Sequence, residues 1–179
     1  MSTGDLPIFY NMIKIACIGA PSTGKSSTID ELKKLSKKNV IEYISAGQFL
    51  KANGFSINEE GTEVTGKVCV FFHKLSMKTF DLLSSDDVVV LPRTIIDPIA
   101  YDDVPVSEEE VKEYFSTVDL IYYFPIEVDL VERENRTKSV EFQKRIDKKL
   151  LDLCEKYHIK YETLSGTPKE KAEKILPRI

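Results

Sequence analysis

Apolar runs long enough to cross a membrane are missing from this 179-residue chain. Its longest uncharged apolar stretches, such as Val88 to Pro92 and Ile121 to Ile126, fall far short of the roughly 18 to 20 residues that a bilayer span needs. Histidine and cysteine are scarce, at two and three residues, and Cys17, Cys69 and Cys154 lie far apart with no Cys-x-x-Cys pair. A disulfide framework is thereby excluded, and His73 and His158 alone make poor partners for zinc. Each cysteine sits in an apolar run, where a small buried hydrophobe is expected. There is no lysine-rich arm either: acidic residues outnumber basic ones 29 to 25, for a net charge of −4. That balance, with a pI near 5.4, argues against binding duplex nucleic acid through its backbone charge. The segment Met1 to Tyr10 contains Asp5 and lacks a basic flank followed by an apolar stretch, so no signal peptide is read there and a cytoplasmic protein is expected.

The composition that is present, 42% hydrophobic and 30% charged, suits one packed domain spanning residues 1–179. Short β-branched runs at Ile13 to Ile18, Val40 to Ile44, Asp87 to Leu91, Asp119 to Phe124 and Ile159 to Leu164 alternate with longer helical patterns. Five strands with intervening helices predict an α/β fold with a parallel sheet. Thr62 to Leu83 and Ser139 to Tyr157 carry apolar residues at helical spacing and are expected to cover it. Ser107 with Glu110, and Thr167 with Glu170 behind Pro168, have the form of capping boxes and mark two helix starts.

Directly after the first strand run comes Gly19-Ala20-Pro21-Ser22-Thr23-Gly24-Lys25-Ser26, followed by Ser27 and a helical pattern through Ile29, Leu32 and Leu35. This fits the phosphate-binding P-loop without a mismatch. Its glycines let successive backbone N–H groups face one anion, and the helix that follows adds its positive dipole end. Lys25 is expected to reach the β and γ phosphates of ATP, and the Ser26 hydroxyl to take one coordination position on Mg²⁺. An Asn-Lys-x-Asp tetrapeptide, the base-recognition signature of GTPases, occurs nowhere. A helicase or AAA+ machine would need a longer chain, so a compact kinase is the leading reading.

With these motifs the sequence resembles the P-loop nucleoside and nucleotide kinases whose domain is like that of bacterial ribosylnicotinamide kinase, a group with many bacteriophage members. Beyond the P-loop, the resemblance rests on Ile57 to Thr62, Arg93 to Tyr101, Phe124 to Glu127, Arg136, Glu141 to Asp147 and Leu164 to Thr167. It implies a P-loop NTPase three-layer sandwich: a five-stranded parallel sheet, helices on both faces and a short helical lid at about residues 131–145. It also implies ATP- and Mg²⁺-dependent phosphoryl transfer to a nucleoside, nucleotide or nicotinamide riboside type acceptor. Such a protein would work in the cytoplasm, the host's if phage-encoded, and a homodimer is compatible with it.

The resemblance assigns roles residue by residue. Arg93 would contact the acceptor or its phosphate, unless it is a plain arginine at a strand end. Asp97 would orient the acceptor hydroxyl or accept its proton, unless it caps a helix start. Arg136, with Arg133, Lys138 and Arg145 nearby, would close over the γ phosphate; the alternative is a solvated face laced with Glu132, Glu134 and Glu141. Gly166 would lie beside the nucleotide base, or simply form a turn. Two positions depart from the pattern. Relatives usually place an aspartate just before the arginine, where this chain has Pro92, and often an arginine where it has Ser45. Either Asp97 or Glu42 takes over the acidic role, or transfer is slow or absent. A nucleotide-binding module acting through a protein partner is therefore the competing expectation.

Overall fold

The computed structural model describes residues 12–54, 63–83, 86–102, 104–127 and 139–179. Its elements run β1 (Ile13–Ile18), α1 (Lys25–Leu35), β2 (Val40–Glu42), α2 (Ala46–Ala52), α3 (Glu63–Thr79), β3 (Val88–Leu91), α4 (Asp97–Asp102), α5 (Glu108–Ser116), β4 (Leu120–Tyr123), α6 (Val140–Lys156), β5 (Glu162–Thr163) and α7 (Pro168–Ile175). The five strands form one sheet in the order β2-β3-β1-β4-β5, and every pairing is parallel. Ile13 pairs with Val88 on one side of β1, and Ile15 with Leu120 on the other.

Both sheet faces are covered, which explains why the central strands read as unbroken apolar runs. Ile15, Cys17, Val88, Val90 and Tyr122 pack under α1 and α7, against Ile29, Leu32, Ala172 and Ile175. Ile18, Val89, Leu91 and Tyr123 face the opposite layer, where α4, α5 and α6 contribute Ala100, Val111, Tyr114, Ile146 and Leu150. The result is the expected three-layer α/β arrangement. Both capping boxes form: Ser107 accepts from the Glu110 N–H, Thr167 from the Glu170 N–H, and each glutamate reaches back to its cap residue.

Several expectations need correction. β2 ends at Glu42 rather than Ile44, and β5 is only Glu162–Thr163 rather than beginning at Ile159. Both are edge strands with one neighbour each, so their length is limited by what that neighbour offers. β5 pairs only with Tyr122 and Tyr123, and its start is delayed by the turn at His158, whose φ of 55° ends the run from α6. Cys17 and Cys154 are buried as expected, whereas Cys69 on α3 is only partly so. The motif Ile57 to Thr62 and residues 131–138 of the expected lid lie outside the described residues. No described helix is long and apolar enough to cross a membrane.

Candidate active site

β1 is flanked by β3 and β4, so chain connections diverge to opposite sides at its carboxyl end, the place where open parallel sheets bind ligands. The P-loop fills that position. At Gly19, with φ 153°, an added Cβ would lie 2.6 Å from the Phe124 carbonyl oxygen, so only glycine lets the loop leave β1 this close to the end of β4. Ser22 also adopts positive φ, at 64°. Gly24 is the N-cap of α1; no side chain caps it, and the first turn holds no acidic residue. The amides of that turn are thus left for an anion. Ser26 and Ser27 are exposed beside them.

Lys25 is buried, and its ammonium donates to the carbonyls of Gly19 and Ala20, each at 2.7 Å, and to Thr23 Oγ1 at 3.2 Å. Burial, helped by the nearby positive charge of Arg93, pulls its pKa down to about 7. A bound phosphate would offset that loss of hydration, so the site is electrostatically short of an anion. Phosphate oxygens fit this cradle.

The expected acceptor residues are assembled at the end of β3. One Arg93 nitrogen donates to Asp97 Oδ1 at 2.8 Å and to the Tyr101 hydroxyl at 2.7 Å, and the guanidinium lies 5.0 Å from the Tyr101 ring centre. Asp97 Oδ2 accepts from the Thr94 N–H at 2.7 Å and its hydroxyl at 3.0 Å. Buried Asp97 thus spends both oxygens on closing the first turn of α4 and aiming Arg93, the geometry of the helix-start cap. Glu42, the other acid weighed for the vacant role of Pro92, is paired with Lys33 at 2.7 Å. Arg136 lies outside the described residues.

Two side chains to which the sequence assigned no role, Lys171 and Gln143, also meet the P-loop. Lys171 of α7 is buried; its ammonium bonds Glu127 Oε2 at 2.6 Å and sits 3.4 Å from the Thr23 carbonyl oxygen. Glu127 Oε1 in turn accepts from the Gly166 N–H at 2.8 Å. Burial alone would raise the Glu127 pKa, but Lys171, Gly166 and Ser165 outweigh it and hold the carboxyl below its usual range. Gly166, with φ 113°, could not carry a side chain without meeting Glu170 Oε2 at 2.7 Å. From α6, Gln143 donates to the Pro21 carbonyl at 2.7 Å, and Asp147 accepts from the Tyr123 hydroxyl at 2.7 Å. Gln143 and Asp147 are four residues apart, hence on one helix face, and both belong to the Glu141 to Asp147 segment on which the resemblance rests, which gave neither a role.

As for Mg²⁺, no group of three or more His, Cys, Asp or Glu able to hold a metal exists among the described residues. Ser26 fits a cation held mainly by phosphates and water, the ordinary habit of Mg²⁺ in such sites.

The fold is shared with solved structures of low identity. Deoxyadenosine kinase from M. mycoides, with dCMP and dCDP bound, is 14% identical with a TM-score of 0.59, over 93% of this chain and 98% of that one. Thymidylate kinase from Candida albicans is 16% identical with a TM-score of 0.60, over 94% and 91%. The NadR protein in complex with NAD and AMP-PNP is 13% identical with a TM-score of 0.63, over 94% of this chain but 50% of that one, so the chain spans about half of its length. No curated protein matches the sequence. The family model described as an AAA domain matches residues 14–171. That description is broader than the compact kinase expected from the sequence and leaves the reaction to be argued from the site. By that match, covering the P-loop, Arg93 and Lys171 alike, the chain belongs to the AAA domain family.

Proposed function

We propose that this protein transfers the γ-phosphoryl group of ATP to a hydroxyl or phosphate oxygen of a nucleoside, nucleotide or nicotinamide riboside type acceptor. The observation that carries the reading is the approach of two cations from adjacent strand ends. Lys25, bonded to the Gly19 and Ala20 carbonyls just past β1, and Arg93, just past β3, stand at the carboxyl ends of two paired strands. One cation holding the donor phosphates and another facing the acceptor is what in-line phosphoryl transfer requires, because positioning and charge stabilisation supply most of its catalysis. The acceptor oxygen forms a bond to the γ phosphorus as the bond to the β–γ bridging oxygen breaks. ADP leaves with that electron pair, and the acceptor proton is lost to solvent or to a phosphate oxygen. Lys25 and the α1 amides bind the phosphates, Ser26 supplies the protein ligand of Mg²⁺, and Asp97 with Tyr101 holds Arg93 in place. Bound Mg²⁺ supplies charge neutralisation at the phosphate oxygens. Arg136 remains the residue proposed to close over the γ phosphate, and Gly166, tied to Glu127, to border the base. ADP formation that depends on one member of a panel of nucleosides, nucleotides and nicotinamide riboside is the expected result; an entirely silent panel overturns the proposal.

The full engagement of Asp97, with the uncharged Pro92 before Arg93, favours a second reading: a module that binds ATP without efficient transfer and acts through a protein partner. Tight ATP binding without turnover, together with activity created by Pro92→Asp, would establish it. Robust turnover by the unaltered protein would exclude it.

A further inference from the structure

His73 is buried, 8% exposed, and the phosphate-binding machinery leaves it unused. It sits on α3 with its ring edge-on to Tyr114, the centroids 5.7 Å apart. Neither ring nitrogen has a hydrogen-bond partner among the described residues; only burial and the charges of Asp97 and Arg93 act on it. His73 lines a cleft at the carboxyl ends of β2 and β3, together with Tyr43, Ser45, Phe72, Ser76 and Arg93. The accessible volume of that cleft is about 10 Å³, room for about one water-sized group.

We propose that His73 is a specificity-determining residue of the acceptor site, hydrogen-bonding one uncharged hydroxyl or ring amide that a nucleoside-type acceptor inserts into this slot. The inference rests on the phosphoryl-transfer reading and deepens it. The slot admits a single small group, so the body of the ligand stays above it, where Ile44 and Phe49 are exposed at 65% and 42% and Phe49 packs on Phe72 with centroids 4.6 Å apart. An apolar rim over a slot whose polar lining is His73, Tyr43, Ser45, Ser76 and Arg93 suits a flat ring with a hydrogen-bonding edge. Burial lowers the His73 pKa to about 4, so near neutral pH the imidazole is uncharged, offering one donor and one acceptor. Such a group reads a hydroxyl or amide, while an anionic part of the same acceptor is left to Arg93. A buried polar group that only the right ligand satisfies discriminates strongly against analogues lacking the matching group.

The two histidines make the test direct. In a long-range ¹H–¹⁵N spectrum of the whole labelled chain, His73 is read against exposed His158 during titration with adenosine, cytidine, guanosine, thymidine, their deoxy forms and nicotinamide riboside, without ATP. The expected result is a saturable shift of the His73 nitrogens with at least one nucleoside while His158 stays still. In calorimetry, His73→Phe should then lose at least tenfold in affinity for that nucleoside and nothing in affinity for ATP, and His73→Gln should recover part of the loss. Should neither variant fold, the spectrum of the unaltered protein decides. Nucleosides that leave His73 unmoved, or that bind His73→Phe equally well, overturn the inference. A His73 response without acceptor-dependent ADP formation would sink phosphoryl transfer and keep the site; transfer with a silent His73 would sink this inference alone.

Discussion

At the scale of single residues, the P-loop separates what binding needs from what stability needs. Lys25 is a buried cation that satisfies its donors on loop carbonyls, and burial has already lowered its pKa to about 7. Replacing a desolvated charge by an apolar side chain of similar length removes a cost of folding. Lys25→Met should therefore keep or raise the melting temperature while weakening ATP binding by at least tenfold, read by calorimetry on one sample of each protein. Gly19→Ala should behave in the opposite sense. With its Cβ 2.6 Å from the Phe124 carbonyl oxygen, the chain must shift at the junction of β1 and β4, costing about 1–3 kcal/mol and lowering the denaturation midpoint. The identity of the P-loop residues was legible because the motif is contiguous and each position answers to one local demand. Arg93 and Asp97 were singled out for separate roles, and their ion pair was not legible: which atom of Asp97 meets Thr94 and which meets Arg93 depends on how α4 turns back over the end of β3.

At the scale of elements, helix ends were the most readable features. The boxes at Ser107 and Thr167 both formed, because a cap involves only four consecutive residues. Thr167→Ala should cost about 1 kcal/mol of stability, measurable by chemical denaturation. The effect should extend to nucleotide affinity, since α7 packs with α1 on the sheet and carries Lys171 to Thr23. Lys171→Met tests that link more directly. It leaves Glu127, 30% exposed, without its cation; about 1–2 kcal/mol is expected, less than for a fully buried pair because water reaches the carboxylate. Calorimetry should show weaker ATP binding alongside, since the Ser165 to Thr167 turn loses its anchor. The pairing of Glu127 with Lys171 was not visible in the sequence: the two are far apart along the chain, and the Phe124 to Glu127 segment, though recognisable, does not announce its partner. The edge strands were overestimated for a related reason, since their ends are set by the neighbouring strand rather than by their own β-branched residues.

At the scale of the whole molecule, His73 makes stability depend on pH. Its pKa falls from 6.5 to about 4 on folding, through burial, so between those values the unfolded chain binds the proton that the folded chain refuses. Stability is fully present above about pH 6.5 and is lost as pH falls toward 4, by about 3 kcal/mol for this group. Denaturation midpoints followed over that range should decline less in His73→Phe than in the unaltered protein. The sequence by itself determined the layered α/β class, the central apolar strands, the capped helix starts and the P-loop motif between β1 and α1, all features written in the period or order of neighbouring residues. Only the tertiary structure decided that β1 lies between β3 and β4, that Arg93 and Lys25 come from the ends of paired strands, and that Lys171, Glu127 and Gly166 form one clamp. It also decided that His73, on the buried side of an amphipathic helix, lines a cleft. The physical reason is common to all four: each is a meeting between segments distant in the chain, selected by how strands order themselves in the sheet and helices cover its faces, and no local spacing encodes that choice.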